Sequence, residues 1–73
     1  MARKSAFFAK RLKELRHQAG WSQPQLALHA GISVSAIRHF EQGLKEPTFA
    51  TLLKLAEALG VSLAAFEPKR KKK

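Results

Sequence analysis

Residues 22–43 read SQPQLALHAGISVSAIRHFEQG, and this stretch predicts two short helices joined by a glycine corner. Ser22 can cap the first helix because its hydroxyl accepts from a free first-turn amide, and Gln25, three residues on, completes a capping box. Trp21 and Leu26 flank that start as a hydrophobic staple. The helix should run to about Ala30 and stop at Gly31, where a sharp bend needs a residue that tolerates positive φ. Ser33 then caps again, with Ile32 and Ile37 as the second staple, and a helix from Val34 to about Gln42 should end at Gly43. The inward positions are Leu26, Ala27, Ala30, Ile32, Ile37 and Phe40. Ala27 sits where the two helices cross most closely, so a methyl group is all that should fit there.

Outward from this pair, the same reasoning predicts three more helices. Ser5 caps a first one, in which Phe8, Leu12, Leu15 and Ala19 recur at helical spacing while Lys10, Lys13 and Arg16 lie off the stripe. Pro47 and Thr48 begin a fourth helix with Leu52, Leu55, Ala56 and Leu59 inward and Gly60 as its stop. Ser62 caps a last short helix with Leu63 and Phe66 as its apolar face, closed by Pro68. Trp21, Phe8, Phe40 and Phe66 fall on core positions, whereas Phe7 and Phe49 do not settle on a face. Seventy-three residues without an internal repeat form one small all-α domain. With no cysteine, neither disulfides nor thiolate metal sites can hold it together, so helix packing must.

Charge is distributed unevenly. Residues 1–16 hold six basic groups against Glu14, a balance of +5, and residues 69–73 add another +5. The middle, residues 17–68, balances at −1, completing the formal charge of +9. Such termini suit a polyanion, attracted at long range, while a near-neutral centre must hold phosphates largely through helix-end amides. The longest stretch free of Lys, Arg, Asp and Glu, His17 to Ile37, is too polar for a membrane span, and no secretory leader is expected. The composition fits a reducing compartment and a cytoplasmic protein. No histidine pair has metal-ligand spacing, and no nucleophile, base and orienting group stand together, so neither cofactor, metal nor enzymatic activity is expected.

Taken in order, RLKELR at residues 11–16, the Trp21-Ser22-Gln23 step, Leu26-Ala27, Gly31, Ile37, Glu41, Gly43, Pro47 and LLKLAEALGVSL at residues 52–63 resemble the lambda-repressor-like, Cro and xenobiotic-response-element family of helix-turn-helix regulators. The resemblance implies a compact five-helix domain over residues 5–67 with the helix-turn-helix at its second and third helices. A basic arm, residues 1–4, precedes it, and a basic tail, residues 68–73, follows. It implies sequence-specific binding of double-stranded DNA by a transcriptional regulator, a repressor, with the third helix in the major groove.

On that resemblance Val34, Ser35, Arg38 and His39 would meet bases. Arg38 is the best candidate, since its fork matches the two acceptors of guanine, the alternatives being a phosphate contact or a solvated surface arginine. Val34 could pack on a thymine methyl, and Ser35 could donate or accept almost anywhere. Many relatives carry amide side chains at these two positions, so their target is not carried over. Gln23 would hold a phosphate and can brace the reading helix. Ser33, Lys45, Thr48, the amide of Phe49, and Arg16 are further phosphate candidates. Arg16 also pairs with Glu41 in the resemblance, joining the first and third helices, while His17 and His29 read as surface residues. A homodimer is implied, pairing near the last helix around Val61, Leu63 and Phe66.

Two other functions share the fold: the antitoxin of a toxin–antitoxin pair, which binds a protein partner as well as DNA, and a protein-bridging coactivator. The tail PKRKKK reads as an arm that adds nonspecific phosphate attraction, as a nuclear localisation signal in a eukaryote, or as a solubilising end.

Overall fold

A computed structural model describes residues 4–67, with side chains from residue 6 onward. Four α-helices run in order, α1 Lys4–Ala19, α2 Gln23–Ala30, α3 Val34–Glu41 and α4 Phe49–Leu59, followed by one 3-10 turn, Leu63–Phe66. The expected fifth helix is thus a single tight turn. Ser62 makes no side-chain cap bond there. A segment so short has too few backbone hydrogen bonds to form an α-helix on its own, and packing of Phe66 decides its shape.

Local signals place the other boundaries. Ser22 accepts from the amide of Gln25 while the Gln25 side chain accepts from the amide of Ser22, a reciprocal capping box. The hydroxyls of Ser33 and Thr48 accept in the same way from the amides of Ala36 and Thr51. Thr48 therefore stands just outside α4, which begins at Phe49 rather than at Pro47. Gly31 closes α2 at φ 73°, its amide donating back to Ala27 and Leu28. A Cβ there would meet nothing within 4 Å, so the left-handed backbone, not crowding, is what calls for glycine.

At the first helix the expected cap fails, because Ser5 is already inside α1 and Lys4, assigned to the basic arm, is helical. Residues 1–3 and the tail from Pro68 to Lys73 lie outside the described residues.

The core joins all the elements: Phe8, Leu12 and Leu15 of α1, Leu26, Ala27 and Ala30 of α2, Ile37 and Phe40 of α3, Leu55 and Ala56 of α4, and Phe66. Phe8 is its aromatic centre, edge-on to Phe40 at 5.9 Å between ring centroids and tilted against Phe66 at 5.3 Å. Leu12, Leu26, Ile37 and Leu55 are sealed from solvent, whereas Ile32, Leu52 and Leu59 are partly buried against the cluster. Ala19, expected on the inward stripe, is exposed. Arg16 takes the end of that face instead, because its charge finds a buried partner. Phe66, expected on a pairing surface, is 6% exposed and belongs to the core. On the far side Arg11 ties the 3-10 turn to α1, its Nε donating to the carbonyl of Ala65 at 2.8 Å and its Nη1 reaching Glu14.

Candidate nucleic-acid interface

Helix α3 buries Ile37, Phe40 and Glu41 and turns Ser35, Arg38 and His39 to solvent, with Val34 half-buried at the boundary. At 3.6 residues per turn these sets occupy opposite sides of the cylinder. The four residues expected to meet bases therefore share one surface, and they need no rearrangement to be presented.

Besides the core, an ion pair ties α3 to α1. Arg16 Nε donates to Glu41 Oε2 at 2.6 Å and Nη2 to Oε1 at 2.9 Å, a two-bond fork from α1 to the end of α3. Its Nη1 donates to the carbonyl of Trp21 at 2.9 Å, fixing the α1–α2 corner as well. The side chains are 10% and 2% exposed, so the guanidinium is spent inside the fold rather than offered to a phosphate. Arg16 is expected both at a phosphate and in a pair with Glu41, and the bonds it makes are those of the pair.

Gln23 completes the network, its Nε2 donating to Glu41 Oε1 at 3.1 Å. A carboxylate accepts only, so it must face the amide nitrogen. Burial pushes the Glu41 carboxyl up, but the hydrogen bonds from Arg16 and Gln23, with the charges of Arg16 and Lys13, outweigh it and hold the pKa below the usual 4.5. An acidic residue at the end of α3 is thereby neutralised, leaving no exposed carboxylate among the described outward residues of α3.

The other phosphate candidates lie in two places. Ser33 is exposed at the start of α3, with its hydroxyl engaged as a cap. Lys45, Thr48 and Phe49 are exposed along the loop into α4. Thr48 accepts from the amide of Thr51, whereas the first amides of α4 lack partners in their own helix, the arrangement that binds anions at helix starts. No hydrogen bond among the described residues ties Lys45, Thr48 or Phe49 to α3.

Several features carried no signal in the sequence. His29, read as a plain surface residue, stacks on Trp21 with ring centroids 4.3 Å apart and planes 6° from parallel, so Trp21 is half-buried and one of its faces is covered. The two positions are eight apart, but Trp21 precedes its helix and its direction depends on the corner. Leu28, Leu44 and Phe49 are large apolar residues left well exposed, and Phe49 at 67% is no core residue. Among the described residues, no group of three or more His, Cys, Asp and Glu could hold a metal, and no helix is long and apolar enough to cross a membrane.

Comparison with known proteins agrees with this geometry. The Helix-turn-helix family profile matches residues 12–66. The chain is 40% identical over 60 residues to the HTH-type transcriptional regulator SutR of Escherichia coli, covering 82% of this chain and 34% of that protein. It is 33% identical over 61 residues to Antitoxin HipB of E. coli, covering 84% of this chain and 69% of HipB. Among solved structures it resembles the restriction-modification controller protein C.AhdI of Aeromonas hydrophila, with TM-score 0.84, 33% identity, and 86% and 96% of the two chains covered. The chain thus spans about a third of the length of SutR but nearly all of the C.AhdI chain.

Proposed function

The chain belongs to the helix-turn-helix family, and from that premise we propose that it binds double-stranded DNA sequence-specifically as a transcriptional regulator, acting as a repressor from the cytoplasm. The observation that carries this reading is the outer face of α3, where Val34, Ser35, Arg38 and His39 stand together while the opposite face is locked into the core and the Arg16–Glu41 pair. In the major groove Arg38 forks to a guanine edge, and Val34, Ser35 and His39 read its surroundings. Gln23, Lys45 and the amide of Phe49 grip phosphates on either side, with the hydroxyls of Ser33 and Thr48 near the same helix starts.

One such domain reads few base pairs, so adequate discrimination calls for two copies on a two-fold site, with half-sites about 34 Å apart. The half-buried Val61 and Leu63 remain available to such pairing, and Phe66 does not. Selection of sites from random duplexes at near-physiological salt tests the reading. Enriched sites should be palindromic, and Arg38→Ala should lose about 1–3 kcal/mol at one base position of each half-site. A uniform loss across sequences would make Arg38 a phosphate contact, and no enrichment at all would remove base reading.

The tail KRKKK, residues 69–73, adds nonspecific attraction in this reading. Deleting it should weaken binding to all duplexes alike and reduce the salt slope by roughly 0.9 for each phosphate that the tail had neutralised. An unchanged slope in a salt titration would exclude it.

Similarity to Antitoxin HipB favours a second reading, in which the same domain also holds a toxin partner. Co-purification of a small protein made from an adjacent reading frame would support it, and a chain that regulates without any such protein would exclude it.

A further inference from the structure

Val34 and Arg38 are four residues apart on α3, which makes them neighbours on one stripe of its outer surface, with Cβ atoms about 5–6 Å apart. Helical Cα–Cβ bonds tilt toward the N-terminus, and a long side chain lies back over the turn before it. The stem of Arg38 therefore leans toward Val34, placing an apolar surface and a cationic fork side by side.

The surroundings hold the two groups differently. Val34 is partly buried against the core, and a β-branched residue in a helix has one strongly preferred rotamer, so its outward methyl surface is fixed. Arg38 is exposed and forms no ion pair or side-chain hydrogen bond among the described residues. Its neighbours on that face, Ser35, His39 and Gln42, carry no carboxylate to capture it, and Glu41 is turned away into the Arg16 fork.

Resting on the base reading assigned to α3 above, we propose that Val34 and Arg38 act as one reader of a 5-methylpyrimidine–guanine step. Val34 packs on the C5 methyl, and Arg38 donates to O6 and N7 of the guanine that follows on the same strand. Successive bases are about 3.4 Å apart along a strand, a separation the flexible arginine stem can match beside a fixed valine. Thymine and 5-methylcytosine carry the same methyl at the same place in the major groove. The pair therefore accepts TpG and methylated CpG alike, and it disfavours UpG and unmethylated CpG.

Competition titrations of the 73-residue chain against its selected duplex test this. Replacing the thymine before the Arg38-dependent guanine by uracil deletes one methyl and nothing else, and affinity should fall about fourfold. With cytosine at that position, 5-methylation should restore a similar factor. Val34→Ala should bind the thymine and uracil duplexes equally while the guanine dependence persists.

Equal binding of thymine and uracil duplexes by the unaltered chain would overturn the proposal, as would selected unmethylated sites without TpG at the Arg38-dependent guanine. A uniform loss in Val34→Ala that preserves the thymine–uracil difference would assign the methyl contact elsewhere and overturn it too. Failure to enrich any site is a different result, since it removes base reading itself.

Discussion

Glu41→Ala is expected to destabilise the fold by about 3–5 kcal/mol, the range for breaking a buried ion pair by removing one partner. The cost comes less from the lost attraction than from what is left behind. Arg16 is 8% exposed, and without Glu41 its guanidinium keeps only the carbonyl of Trp21, with no anion to offset its burial. Gln23 loses its acceptor at the same time. For a domain of this size the loss is comparable with the whole stability, so Glu41→Ala should be largely unfolded at 37 °C.

Removing both charges, as Arg16→Met with Glu41→Leu, should cost less than the two single changes together, because neither variant charge is then stranded. Urea melts followed by the single tryptophan, Trp21, which sits at the α1–α2 corner, would measure this cycle. Additive losses would show that the pair contributes no coupling.

The same carboxylate gives the stability a direction in pH. Its folded pKa lies below 4.5, its unfolded value near it, so the unfolded chain binds the proton more readily. The stabilisation is complete above about pH 4.5 and is lost as pH falls through the lower folded value. In Glu41→Gln that acid-side loss should flatten, a difference readable from melting temperatures taken at pH 5 and below.

The second large effect is expected at Ile37→Ala. Ile37 is fully buried where α3 meets the rest of the core, and truncating it leaves a cavity worth about 2–5 kcal/mol. The outward residues of α3 are untouched by this change, so the folded fraction should still read the same sites. Duplex at a hundred times its dissociation constant should return about 2.7 kcal/mol, and melts with and without DNA would show it. A variant that stays folded but loses site preference would mean instead that Ile37 sets the angle of α3, not only its stability.

Much of this molecule was legible residue by residue. Ser22 with Gln25, Ser33, Gly31 and Gly60 act on backbone groups only a few residues away, and their geometry hardly depends on the rest of the chain. Signals at the edges failed for the same reason in reverse. Ser5 and Ser62 are good caps in isolation, but α1 extends past one, and the segment after the other is too short to demand a cap. Ala19 lost the inward face because the chain turns at Gly20 before that stripe reaches the core. The stack of Trp21 on His29 and the clasp of Arg11 on Ala65 depend on how loops aim their side chains, which periodicity does not report.

The amino-acid order alone determined where the helices of residues 22–43 start and stop, which of their faces is apolar, and that the charge lies at the two ends. Those are matters of hydrogen bonding and spacing within a few residues. Only the tertiary structure decided that Phe66 is closed to pairing, that Arg16 also ties down the carbonyl of Trp21, and that Glu41 is the group Gln23 braces. The Gln23 and Arg16 bonds to Glu41 and the Arg11 clasp on Ala65 join residues 18 to 54 positions apart, and they exist only once packing has brought those segments together.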